Sequence, residues 1–451
     1  MPINPMSICP RSICLVLLLP IILVACETTD GSPPVTGAQA PSTQTRPETV
    51  PFVPALPIEG PNIWPGGKLS LPHMQGRDAV RIALLLPFSA KSSSLREQSN
   101  SMLDAAQMAV IESGDLRLIL IPKDTGGTQR GASEAARSAI ADGADIFVGP
   151  LLSRAVSGAA VEAKRANVPI IAFSTDITVA GNGVYLMNFL PENEVKRIVD
   201  YAASQGHNNF ALLRGKGRYG ERVEFAMSNQ TFANGGMLTD IAVYPGEDGQ
   251  KNTPIAELAH ATEREEMLDV WREAGGVGDP ALDPEFEFEL PYTAVLIAES
   301  GLRLQSLAPL LPYFDVDPRK TQFLGTGQWF DERLNREPAL SGGWFAGPAK
   351  YSMDVFKASF DRYFSEQPKR LAPLVYDAVG VAAAISEISD DGEVIIRLDK
   401  LENRQGFSGA TGLFRFSADG LAEHSLSVYK MRKGKFEVID PAPVQFELEG
   451  F

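Results

Sequence analysis

Short apolar runs that alternate with stretches of helical periodicity constrain this chain more than any other feature. Arg81-Ile-Ala-Leu-Leu-Leu-Pro87, Leu116–Pro122, Asp145–Pro150, Val168–Phe173 and Val184–Phe189 read as strands bounded by charge, glycine or proline. Between them lie helical patterns. Gln98–Ser113 carries Met102, Ala105, Ala106, Ala109 and Val110 on one face, and a stripe of Ala132, Ala135, Ala136, Ala139 and Ile140 follows a capping Thr128. A third helix is expected over 153–166. Strands apolar along their whole length are buried on both faces. Strands joined by single helices require right-handed crossovers, and so a parallel sheet with helices on both sides.

A second series starts after Pro191: a helix over 192–205, strand Asn209–Arg214, a helix from Glu221, strands Leu238–Tyr244 and Thr293–Ala298, a helix over 301–311 and strand Thr321–Gly325. The expected fold class is α/β, with two doubly wound parallel-sheet lobes and a cleft between them. Ligands in such sheets sit beyond the carboxyl ends of the strands. Helices near 353–366 and 373–388 follow. A hairpin-like stretch from Phe414 to Val438 ends the pattern, with Asp419-Gly420 and Lys433-Gly434 as turns.

The amino terminus reads as an address. Ile13–Val24 is apolar, preceded by Arg11 and broken by Pro20. It falls short of the roughly 20 residues that span a ~30 Å hydrocarbon core and suits the core of a signal peptide. Its end, Leu23-Val24-Ala25-Cys26, resembles the lipobox of bacterial lipoproteins, in which the signal (here 1–25) is removed and the cysteine, Cys26, is acylated. Several acyl chains on one residue give stable anchoring. Glu27 stands where an aspartate retains enterobacterial lipoproteins in the inner membrane, which points to the outer membrane. From Cys26 to Gly76 proline recurs among Thr, Ser and Gly. Such a segment builds no packed element and serves as a tether that at ~3.1 Å per residue reaches on the order of 150 Å.

Composition removes whole classes of chemistry. The 451 residues include 56 acidic and 41 basic side chains, for a formal charge of −15. A nucleic-acid partner would demand a basic stripe, which the sequence lacks. The three cysteines are Cys9, Cys14 and Cys26, and the four histidines are dispersed at His73, His207, His260 and His424. Thiolate, disulfide and zinc chemistry therefore have no residues in the head.

The segments Arg81–Ser89, Asp145–Ser153, Val168–Thr175, Asn209–Glu221 and Gly409–Gly420 resemble the type I periplasmic binding proteins of the leucine-binding branch. The resemblance covers 77–445 and implies one lobe at about 77–190 with 328–411 and another at about 191–327 with 412–445. Leu307–Pro318, Phe323–Trp329 and Gly342–Ala346 are more similar to a subset, the lipoprotein activators of penicillin-binding proteins, which dock on a peptidoglycan synthase and stimulate it. Those of gammaproteobacteria carry a helical-repeat domain where this chain has its Pro-rich tether. The resemblance implies a non-enzymatic binding protein. Its partner is then a penicillin-binding protein or, for a solute receptor, an ABC permease with a small carboxylate ligand.

Carried over from the family, Ser153, Ser174 and Thr175 would bind a ligand carboxylate, and Tyr219 would form the facing aromatic wall. For Ser153 helix capping is the alternative role. The family's acid for a ligand ammonium is missing from Gly325-Thr-Gly-Gln328, and Glu299 is the candidate substitute. Gly215-Lys-Gly-Arg-Tyr-Gly220 matches the dinucleotide fingerprint literally, with Asp240 at the distance of a ribose acid. Its bulky Lys216, Arg218 and Tyr219 argue against that role, so no cofactor is expected. Asp124-Thr125-Gly126 lacks the second carboxylate of an aspartic protease. Ser427-Val-Tyr-Lys430 lies in an alternating strand pattern without companion motifs. Between Tyr244 and Thr293, a helix over Glu263–Arg272 with Met267, Val270 and Trp271 apolar precedes Glu285-Phe-Glu-Phe-Glu289. Trp271, Phe286 and Phe288 form either an elaborated crossover or an aromatic docking surface in an acidic rim.

Overall fold

The computed structural model describes residues 78–246, 252–283, 286 and 288–446. Cys26 and the segments expected to be a signal peptide and a tether lie outside the described residues. In chain order the first strands and helices are β1 (Val80–Leu86), α1 (Ser93–Ser113), β2 (Leu118–Asp124), α2 (Gln129–Ala141), β3 (Ile146–Val148), α3 (Ser153–Ala166), β4 (Ile170–Ala172) and β5 (Val184–Leu186). The second series is α4 (Pro191–Ser204), β6 (Asn209–Gly215), α5 (Arg218–Ala233), β7 (Met237–Tyr244), α6 (Asn252–Leu258), α7 (Ala261–Glu273), β8 (Ala294–Ala298), α8 (Gly301–Leu307), α9 (Leu310–Tyr313), β9 (Gln322–Gly325) and β10 (Trp344–Gly347). Then come α10 (Lys350–Phe364), α11 (Ala372–Ala384), β11 (Ser386–Ile388), β12 (Val394–Ile396), α12 (Leu398–Leu401), β13 (Phe407–Gly409), β14 (Gly412–Phe416), β15 (Ala422–His424), β16 (Ser427–Arg432) and β17 (Lys435–Asp440).

The first lobe is a five-stranded parallel sheet in the order β2-β1-β3-β4-β5. Every residue of β1 is buried. Ile82, Leu84 and Leu86 join α1 and α11 in one core, while Ala83 and Leu85 join α2 and α3 in another. That two-sided burial is why the strand reads as an unbroken apolar run. Thr128 caps α2 by accepting the Gly131 amide at 3.0 Å. The alanine stripe of α2 lets α3 approach closely. A Cβ on Gly158 would stand 2.1 Å from the carbonyl oxygen of Gln129, so only glycine fits there.

The second lobe is a seven-stranded sheet, β17-β16-β10-β9-β8-β6-β7. Strands β6–β10 run parallel, and β16 and β17 add an antiparallel edge. Lobe membership differs from the expected boundaries at two places. Trp344–Gly347, expected in the first lobe, pairs with β9 of the second, Trp344 opposite Leu324. Strands β13–β15 form a separate three-stranded sheet whose Phe414, Phe416 and Ala422 belong to the first core, although 412–424 was expected in the second lobe. The hairpin-like tail is thus two hairpins serving different lobes. Asp419-Gly420 and Lys433-Gly434 make their turns, with φ +83° and +80° at the glycines. The chain consequently crosses between lobes near residues 187–190, 348–349 and 425–426. Among the described residues no helix is long and apolar enough to cross a membrane, and no group of three or more His, Cys, Asp or Glu is placed to hold a metal.

Candidate functional site

A cavity of about 630 Å³ opens where the lobes meet. Gly327, Gln328 and Phe330 after β9, Phe436 of β17 and Glu194 of α4 form the second-lobe side. Met353 and Lys357 of α10 and the Pro368–Arg370 turn form the other. Glu194 is the residue that sequence reasoning missed. It lies on the buried stripe of α4, between Pro191 and Val195, where its neighbours are apolar. It is 4% exposed. Burial pushes its carboxyl up to about 8, and the charge of Arg370 and the amide of Gly327 offset only part of that cost. An acid on the apolar face of an amphipathic helix was the available signal. Gly327 is what admits it, because a Cβ there would lie 2.3 Å from Glu194 Oε1.

Around this acid the second lobe supplies polar groups. The Tyr219 hydroxyl bonds Thr326 Oγ1 at 2.7 Å, and Thr326 is fully buried. Arg370 and Lys357 have no ion-pair partner among the described residues, whereas Arg333 is bound by Asp331 and Lys369 lies 3.4 Å from Glu97. The walls are apolar. Phe330 stacks on Phe436 with centroids 5.2 Å apart, and Lys357 Nζ stands 5.9 Å from the Phe330 centroid.

Of the other expected site residues, Ser174, Thr175 and Glu299 have partners of their own. Ser153 is the first residue of α3 and does not cap it; Leu152 holds the N-cap position, without a side-chain bond. Ser174 is buried, and its Oγ accepts the amide of Asp176 at 3.0 Å, ordering the turn after β4. Thr175 is exposed, and its carbonyl takes a hydrogen bond from the Arg222 guanidinium. Glu299 accepts the Tyr244 hydroxyl and lies against Gly215. Arg218 of the second lobe forms a two-point pair with Asp176 of the first, at 3.2 and 3.0 Å.

The remaining motifs are structural. Gly217 has φ +120°, and a Cβ on Gly220 would lie 2.4 Å from the Gly215 carbonyl, so the glycines serve a strand-to-helix turn. Asp240 is paired with His260 at 3.0 Å. Asp124 accepts the amides of Ser89 and Gly126, and Ser427 accepts that of Ala442. In the long crossover, Met267 and Val270 face solvent and Leu268 is the buried residue of α7, the reverse of the expected apolar face. Trp271 donates to Asp283 at 2.8 Å and packs edge-on against Phe286, with Phe288 half-buried nearby in sequence.

Two lobes built from doubly wound sheets, joined by three crossings, with a largely apolar cavity between them that holds a buried acid, have the fold of a periplasmic binding protein. The model of the periplasmic binding protein family matches residues 79–435, and the chain belongs to that family. The family places it in the periplasm. Among solved structures, a protein from Rhodospirillum rubrum named as a branched-chain amino acid ABC transporter has a TM-score of 0.64 at 16% identity, covering 80% of this chain and 100% of that one. A leucine-binding protein, LivK, from Thermotoga maritima gives 0.53 at 16%, over 81% and 99% of the two chains. A solute-binding protein of an ABC transporter from Rhodopseudomonas palustris, in complex with 3,4-dihydroxybenzoic acid, gives 0.54 at 16%, over 82% and 98%. An uncharacterized protein from Rickettsia prowazekii, RP748, is 21% identical over 172 residues, which span 38% of this chain and 45% of that protein.

Proposed function

We propose that this chain is a non-enzymatic envelope lipoprotein, anchored through Cys26 at the outer membrane, that holds a small carboxylate between its lobes. The observation that carries the reading is the interlobe cavity, where Arg370 and Lys357 lack ion-pair partners among the described residues and burial raises the carboxyl of Glu194 to about 8. A carboxylate there would meet a cation and a carboxyl that donates a hydrogen bond, against walls of Phe330, Phe436 and Met353. Such bonds are stronger in a low-dielectric site than in water. Closure on the ligand would select one arrangement of the lobes for an ABC permease to recognise. Calorimetric titration with branched-chain amino acids and aromatic carboxylates tests this. Nanomolar to micromolar binding that Arg370→Ala abolishes supports the reading, and absence of binding by all of them overturns it.

A second reading, an activator of a penicillin-binding protein, is favoured by the segments 307–318, 323–329 and 342–346. Within the first, Tyr313 is 73% exposed, an aromatic of the kind enriched at interfaces. The tether would raise the local concentration of head and synthase without adding contacts. Pull-down from cell envelopes separates the two. Permease subunits without a synthase would remove the activator reading.

A further inference from the structure

The interlobe cavity adjoins a second one. A neighbouring cavity of about 340 Å³ shares Phe330, Glu332, Met353, Lys357 and Phe436 with the first, so those residues form a common wall. Together the two approach the upper end of the roughly 300–1,000 Å³ range that holds drug-sized ligands. A single amino acid would leave most of that space unfilled. Gly434 and Lys435 of the β16–β17 turn line the second compartment and not the first.

The charge along this path is opposite to that of the protein. The chain carries 56 acidic and 41 basic residues, yet the groove presents Arg370, Lys357 and Lys435 in succession, none with an ion-pair partner among the described residues. Its acids are mostly accounted for. Asp331 is bound to Arg333 and Asp354 to Lys350, Glu194 is neutral, and Glu332 alone stands unpaired on the shared wall. Between the cations lies the stacked pair Phe330 and Phe436. Unpaired cations at both ends and an aromatic wall between them suit a chain that carries carboxylates on either side of an apolar group.

Resting on the small-carboxylate reading above, we infer that the groove takes an extended acidic peptide of at least three residues, one carboxylate at Arg370 and another beyond Phe330 at Lys435. The test is calorimetry on the full chain in detergent with the tripeptide Glu-Phe-Glu, the free amino acids Glu, Phe and Leu, and benzoate. The tripeptide is expected to bind at least tenfold more tightly than any single residue. Lys435→Glu, on an exposed turn, should weaken the tripeptide at least tenfold while leaving the affinity for Leu or benzoate and the thermal unfolding midpoint unchanged. Tripeptide binding no tighter than that of Leu or benzoate, or equal in Lys435→Glu, overturns the extended ligand and leaves the small-carboxylate reading standing. Failure of every probe overturns both.

Discussion

Arg218 of α5 and Asp176 of the turn after β4 pair across the interlobe boundary through both guanidinium Nη atoms. Asp176 also accepts the Thr178 hydroxyl and amide, and these bonds, led by the hydroxyl, hold its carboxyl below the usual range. Arg222, one turn further along α5, is gripped by Glu192 at 2.7 and 2.6 Å and reaches the Thr175 carbonyl. Two arginines on one helix face thus tie the second lobe to a single turn of the first.

Because the Arg218 side chain is 71% exposed, its pair with Asp176 is worth under about 1 kcal/mol. Asp176→Asn should therefore leave the unfolding midpoint nearly unchanged but let the lobes separate. Small-angle scattering should report a larger radius of gyration, and high salt should produce the same change in the parent protein. An unchanged radius in both conditions would show that this pair does not hold the lobes.

Glu194→Gln should stabilise the protein at neutral pH. The folded carboxyl titrates near 8 against an ordinary value of 4.5, so the folded state holds a proton that the unfolded state releases. Stability is full below 4.5 and is lost as pH rises towards 8. At pH 7 the substitution recovers on the order of 2–3 kcal/mol. Denaturant midpoints of parent and variant should coincide near pH 4 and diverge as pH rises.

Asp377 of α11 pins the β13–β14 turn by accepting the Ala410 amide at 2.6 Å, the Thr411 amide at 2.8 Å and the Thr411 hydroxyl at 2.6 Å. Asp377→Ala leaves three buried donors unpaired and should cost about 3 kcal/mol. Gly409→Ala should be destabilising for the same contact, since its Cβ would lie 2.2 Å from Asp377 Oδ1. Chemical denaturation checks both, and a double variant should cost less than the two losses added.

His424 sits between Phe189 and Phe414, with ring centroids 4.5 and 5.5 Å away, and neither ring nitrogen has a partner among the described residues. Burial drives its pKa down to about 3 from an ordinary 6.5. Below pH 6.5 the unfolded state takes up a proton that the folded state refuses, so stability falls between 6.5 and 3. His424→Phe should flatten that part of the acid-unfolding curve. A variant curve parallel to the parent's throughout would show that the ring is not held neutral.

Much of the architecture was legible from the chain alone. Thr128 caps α2 and Asp124 orders its turn as their residue types and positions required, because both act on amides two or three residues away. The helix expected over Glu263–Arg272 forms as Ala261–Glu273, but its buried side is not the expected one. Met267 and Val270 face solvent because α7 meets its lobe through Leu268, and which stripe of a weakly amphipathic helix is covered depends on what packs there. Ser174 and Thr175 were carried over from the family and Glu299 was chosen as a substitute acid, and the structure gives Ser174 a local partner, the Asp176 amide, but Thr175 and Glu299 the distant Arg222 and Tyr244, which no local pattern announces.

The sequence by itself determined the alternation of buried strands and helices, hence two parallel sheets, because periodicity and burial on both faces are written within each segment. Only the tertiary structure decided that Trp344–Gly347 completes the second sheet while β13–β15 packs on the first lobe. It also decided that Glu194 becomes a buried, neutral acid in the cavity. That outcome needs a glycine at 327, distant along the chain, and burial that outweighs the opposing charge of Arg370, and desolvation depends on everything around a group and not on its neighbours in sequence.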